Sequence, residues 1–134
     1  MSMKAVKIEA WKFYDKWRNK PPYSPALKAT IRISRKGWNH LTGAAGYKKR
    51  VVGDVYRRLK LLPYADEIIK TSTTIQNIVT KKKIKYYALE AVVEVEQDGK
   101  KSLRKIRVII QQDKSGQFIF FSVMDKKRRR RKKN

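Results

Sequence analysis

Four kinds of side chain in this sequence could together cut an RNA strand without a metal: one imidazole, guanidinium or ammonium cations, a phenol and a hydroxyl. His40 is the only histidine. It is also the one group whose ordinary titration lies near neutral pH. Arg107 and Gln111 share one face of an alternating stretch in which Ile106, Val108 and Ile110 take the other. Ser122 is the only polar residue between positions 118 and 124. In metal-free cleavage the 2′-hydroxyl attacks its own phosphate. A base removes that proton, an acid serves the leaving 5′-oxygen, and cations hold the phosphorane charge. DNA lacks the attacking hydroxyl, so this route selects RNA.

Several other chemistries are missing from the sequence. It has no cysteine, which removes disulfides and thiolate metal sites. It has no Gly-Lys-Ser or Gly-Lys-Thr phosphate loop. No Asp/Glu cluster points to a two-metal nuclease, and Asp54, Asp66 and Glu67 read as capping or solvated charges. No metal and no cofactor is expected.

Charge names the partner class. Lys and Arg number 35 against 11 Asp and Glu, a formal net charge of +24. Such an excess repels itself in the folded state. A phosphate polymer relieves it through counterion release. Eight consecutive basic residues, 126–133, carry only part of the surplus, so the body is basic too. No apolar run approaches the roughly 18 residues that span a bilayer, and no signal-peptide pattern opens the chain. The expectation is a cytoplasmic protein that contacts nucleic acid and no membrane. Arg35, Lys48, Arg50, Arg58, Lys126, Arg128, Arg129 and Arg130 are the candidate phosphate contacts. Gln111 and Tyr87 are candidate contacts of other kinds. Tyr86 and Tyr87 point to opposite faces of one strand, so either could reach a bound base.

The elements that must position these residues follow from periodicity. Residues 4–18 read as a helix, with Val6, Ala10, Phe13 and Trp17 on one face and Trp11 and Tyr14 widening it. Pro21, Pro22 and Pro25 make a linker. Residues 29–34 read as the first strand. His40 then falls before a Gly-containing turn, where a side chain is displayed; the competing view is a histidine that hydrogen-bonds that turn. A second helix is expected over 48–61, stopped by Pro63, with one further turn around Ile68. Strands are expected over 75–79, 84–96, 103–111 and 118–124, joined by Asp98-Gly99 and Lys114-Ser115-Gly116 turns. In the last strand, Phe118, Phe120, Ser122 and Met124 are expected on one face. Three segments result: an N-terminal helix and linker over 1–25, an α+β domain over 26–125, and a disordered basic tail over 126–134. The class is α+β, with N-terminal helices packed on a four- to five-stranded antiparallel sheet.

The order of these segments resembles a known superfamily. The carrying stretches are Ile31-Arg32-Ile33-Ser34 leading to Gly37-Trp38-Asn39-His40-Leu41, and Arg58-Leu59-Lys60-Leu61-Leu62-Pro63-Tyr64-Ala65. Lys85-Tyr86-Tyr87-Ala88-Leu89-Glu90, Lys105-Ile106-Arg107-Val108-Ile109-Ile110-Gln111 and Phe120-Phe121-Ser122-Val123 follow. Together they resemble the metal-independent RNases that group barnase, EndoU, the tRNA-cutting colicins and RelE-type toxins, and more narrowly their phage and mobile-element branch. The resemblance implies helices on an antiparallel sheet and an endoribonuclease leaving a 2′,3′-cyclic phosphate. It implies that His40 serves as acid or base, that Arg107 holds phosphate and that Ser122 orients the scissile group. Some members carry a second histidine soon after the first; here that region offers Tyr47 and Lys48. A toxin or phage effector of this kind would have an acidic inhibitor protein as a second partner. The competing reading is a non-catalytic RNA- or DNA-binding protein of a phage or mobile element. A weaker third is a ribosome-associated protein.

Overall fold

The fold is described from a computed structural model of the chain, covering residues 2–44, 52–97 and 99–125. The N-terminal helix, α1, spans Met3–Asn19 and is capped by the Ser2 hydroxyl, which accepts from the Ala5 amide at 3.2 Å. Its buried stripe is Val6, Ala10, Tyr14 and Trp17. Phe13, expected in that stripe, lies at its margin, and Tyr14 takes the central place. A two-residue ladder, β1 Tyr23–Ser24 with β2 Ala29–Thr30, follows. Three helices come next: α2 Arg35–Thr42, α3 Val52–Lys60 and α4 Leu62–Thr71. The described residues close with strands β3 Asn77–Lys81, β4 Ile84–Gln97, β5 Lys100–Gln112 and β6 Phe118–Asp125.

These four strands form one antiparallel sheet in chain order. The α+β arrangement is as expected. One face of the sheet, through Leu89, Val95, Ile106, Val108, Ile110, Phe120 and Val123, joins the helices in a single core. Burying each such side chain contributes roughly 1.5–3 kcal/mol relative to leaving it in water. Trp17 Nε1 donates to Asp66 Oδ1 at 2.8 Å and ties α1 to α4. The Tyr14 hydroxyl donates to the Ser34 carbonyl and ties α1 to the start of α2.

Four local features differ from the sequence reading, each for a physical reason. The stretch around Arg32 is not an antiparallel strand of the main sheet. It runs parallel beside β6, with the Arg32 amide donating to the Phe118 carbonyl and the Phe120 amide donating to the Arg32 carbonyl, both at 2.9 Å. Residues 35–42, to which the sequence reading assigned no element, form a helix that Gly37 lets lie directly on β6. A Cβ at Gly37 would stand 2.7 Å from the Phe120 carbonyl and 2.6 Å from the Tyr14 hydroxyl. Helix α3 ends before Pro63 as expected, but Pro63 then opens a ten-residue helix, α4, rather than a single turn, since proline suits the first turn of a helix. Finally, a β-bulge between Ile109 and Ile110 shifts the register of β6. Alternation after Phe120 therefore breaks. Phe118, Phe120, Val123 and Asp125 pair with core-facing residues of β5, while Ile119, Ser122 and Met124 pair with residues of the other face.

Of the second expected helix, residues 48–51 lie outside the described residues, and α3 accounts for the rest. The basic tail over 126–134 lies outside them as well.

Candidate nucleic-acid interface on the open face of the sheet

The sheet face turned away from the core carries the candidate chemistry. Cross-strand registers place its residues in rows. Val79, Tyr86, Gln111 and Ile119 make one row, Asn77, Ala88, Ile109 and Ser122 the next, and Glu90, Arg107 and Met124 the third. None of these side chains belongs to the core cluster, but the face is only partly accessible: Ala88, Gln111, Ile119 and Ser122 are buried, Asn77 and Val79 are exposed, and the others are half-buried.

His40 reaches this face from the last turn of α2. Gly37 and Leu41 of that helix are buried against the body, which turns His40 toward Phe121 at the bulge. The two ring centroids lie 3.9 Å apart. Phe121 in turn lies 5.4 Å from the Tyr86 ring. The three rings thus form a continuous half-buried aromatic patch. The Tyr86 hydroxyl accepts from Gln111 Nε2 at 3.1 Å, and Gln111 is only 3 % exposed. Gln111 therefore fixes the tyrosine. It reaches a ligand only through Tyr86.

Two rows further along the strands, Arg107 donates through Nε and Nη2 to Glu90 Oε1. Lys105 Nζ holds the other oxygen, Glu90 Oε2, at 3.2 Å. The Glu90 side chain is 5 % exposed, against 23 % for Arg107 and 46 % for Lys105. One enclosed carboxylate thus orients two cations, leaving a net positive charge at the surface. Glu90 was not among the residues singled out from the sequence, although a signal was present. Counting back residue for residue from the Asp98-Gly99 turn puts Glu90 opposite Arg107 and Tyr86 opposite Gln111, as the ladder has them.

At the β6 edge, Arg58 of α3 donates through Nη1 to Ser122 Oγ at 2.8 Å and to the Val123 carbonyl at 3.3 Å. Its Nε donates to Asp54 Oδ2 at 3.1 Å, one helical turn back. Ser122 is 2 % exposed. Its hydroxyl positions Arg58 rather than facing a ligand.

The remaining candidates divide clearly. Tyr87 lies on the core side of β4, with its ring edge-on to Phe118 and its hydroxyl donating to Gln112 Oε1 at 2.8 Å. Tyr86, not Tyr87, is the tyrosine of the open face. Arg35 is exposed on the α1–α2 side, its guanidinium 5.1 Å from the Trp11 ring. Lys48, Arg50, Lys126, Arg128, Arg129 and Arg130 lie outside the described residues. The structure therefore brings His40, Arg107, Gln111 and the Arg58–Ser122 pair to one face and its edge, and leaves Tyr87 and Arg35 elsewhere.

Aromatic rings beside oriented cations suit unstacked bases and phosphates. Among the described residues, no group of three or more His, Cys, Asp or Glu side chains is placed to hold a metal ion. No described helix is long and apolar enough to cross a membrane. No family model, curated protein or solved structure matches this chain.

Proposed function

We propose that this chain binds RNA on the open face of its sheet and cleaves it without a metal. The observation that carries this reading is the placement of His40, the sole histidine, against Phe121 on the face that also presents Arg107. In the reaction the 2′-oxygen attacks the adjacent phosphorus and the bond to the 5′-oxygen breaks. A 2′,3′-cyclic phosphate and a 5′-hydroxyl result. His40 moves a proton in this exchange. Arg107 and Lys105, oriented by Glu90, hold phosphate charge, and Arg58, oriented by Ser122, supplies a further cation at the edge. Tyr86 and Phe121 stack a base beside the histidine. A cytoplasmic site of action, a toxin or phage-effector role and an acidic protein inhibitor belong to the same reading.

The second reading is RNA binding without cleavage. Two observations favour it: Ser122 is enclosed, and Glu90 takes up part of the charge of Arg107. The experiment is incubation with total RNA in EDTA, followed by identification of the new ends. Cyclic-phosphate ends made by the wild type and lost in His40→Ala support the enzyme. Tight, salt-dependent binding with intact RNA supports the binder.

A further inference from the structure

The β3–β4 hairpin closes with two residues, Lys82 and Lys83, between the paired positions Lys81 and Ile84. Both have positive φ, 49° and 66°. Two central residues in the left-handed region define the hairpin turn that strongly prefers Asn-Gly, Asp-Gly or Gly-Gly. For a side chain with a Cβ the left-handed region is uncommon, and a lysine has no short polar group to offset it. Here two lysines occupy it in succession.

Their surroundings sharpen the oddity. Lys81, Lys82, Lys83 and Lys85 are all exposed. Among the described residues, none of the four takes part in an ion pair. Four cations thus crowd the end of one hairpin with no acidic partner, in a chain already strongly basic. Local folding preference and electrostatics both argue against this sequence at this place.

Position supplies a reason. Lys81 pairs with Ile84 and stands two residues beyond Val79, so it shares the open face with Val79 and Tyr86. The tip projects past the Tyr86 row by about 10 Å, at 3.3 Å per residue. It rises from the β3 edge, whereas α2 and His40 flank the β6 edge, roughly 14 Å away across three strand spacings. A strand of RNA lying on the aromatic patch would run on to this tip.

We propose that the hairpin tip formed by Lys81 and the turn residues Lys82 and Lys83 is a phosphate grip for the RNA backbone flanking the aromatic patch. The inference rests on the RNA reading above and extends its footprint to a second edge of the sheet. The strained turn holds the ammonium groups out past the end of the strands, where they meet phosphates without touching bases. The competing explanation is that the lysines merely guard an exposed edge strand against pairing with other chains. Guarding accounts for charge on β3 itself. It does not require charge at the two strained positions of the turn.

The test separates fold from grip. Lys82→Asn/Lys83→Gly installs the preferred turn and removes two charges. Its melting temperature should hold or rise by about 2–6 °C. Its affinity for a labelled hairpin RNA should fall several-fold. The slope of log affinity against log salt, measured between about 50 and 200 mM, should become shallower by roughly 1–2. Lys82→Arg/Lys83→Arg should keep the wild-type slope. An unchanged slope in the Asn-Gly variant, with or without a loss of monomer, overturns the grip while leaving RNA binding in place. Failure of the wild-type protein to bind the RNA removes the broader reading and the grip with it.

Discussion

The guanidinium of Arg58 donates to the hydroxyl of Ser122 at 2.8 Å, joining α3 to the bulged strand β6. Ser122 is enclosed, so each partner depends on the other. Ser122→Ala should cost about 0.5–1.5 kcal/mol, one net hydrogen bond, because Arg58 keeps Asp54 and the Val123 carbonyl. Arg58→Ala should cost more, about 1–3 kcal/mol, since it removes the donor to the enclosed Ser122 hydroxyl together with its contacts to Asp54 and the Val123 carbonyl. Urea denaturation of the two variants checks the order. Equal stability of both to the wild type would contradict the geometry.

Gly37 gives a sharper test of how α2 is seated. A methyl there would press on the Phe120 carbonyl at 2.7 Å and on the enclosed Tyr14 hydroxyl at 2.6 Å. Backbone cannot yield cheaply. Gly37→Ala should therefore destabilise the protein by about 1–3 kcal/mol, despite alanine's better helix propensity. Because α2 carries His40, the variant should also change contact with Phe121, read as altered shifts of the single histidine in NMR spectra.

Tyr14 predicts a pH dependence. Burial pushes its phenol well above the ordinary tyrosine range, and the Ser34 carbonyl accepts its proton. The folded value is raised, so this contribution is complete below the unfolded value of about 10 and is lost as pH climbs above it. The unfolded chain releases the proton first. Stability measured from pH 9 upward should fall, and Tyr14→Phe should show a shallower alkaline decline. A variant as steep as the wild type would contradict the assignment.

The two neighbouring tyrosines of β4 should behave oppositely. Tyr86→Ala removes a ring of the open face and should weaken RNA binding by roughly 1–3 kcal/mol, the value of one base stack. Tyr87→Phe removes only the bond to Gln112 on the core side. It should shift stability by about 1 kcal/mol and leave RNA affinity alone. Titration of both variants with labelled RNA decides the matter.

Strand periodicity exposed much of this fold in advance. The alternation of Ile106, Val108 and Ile110 against Arg107 and Gln111 gave the two faces of β5 correctly, since a strand's side chains must alternate. The long hairpin followed from Asp98-Gly99. What stayed hidden depended on tertiary contact. The bulge that lets Phe121 meet His40 leaves no mark in a run of Phe and Ile residues. The Lys82-Lys83 turn lacks the glycine or asparagine by which such turns are recognised. Helix α2 has no side-chain cap hydrogen bond, and its reason for forming is the close fit of Gly37 on β6. Among the site residues, His40 and Arg107 were readable by type. The pairing of Glu90 with Arg107 needed the register, and the enclosure of Ser122 needed the third dimension.

One measurement bears most directly on the central claim. Purified protein, the His40→Ala variant and the Arg107→Ala variant are each incubated with structured RNA in EDTA, and the 3′ ends of the fragments are identified. The account expects 2′,3′-cyclic phosphate ends from the wild type, a loss of at least about 100-fold in His40→Ala, and a clear loss in Arg107→Ala with folding retained. Intact RNA with the wild type, or equal cutting by His40→Ala, would contradict it.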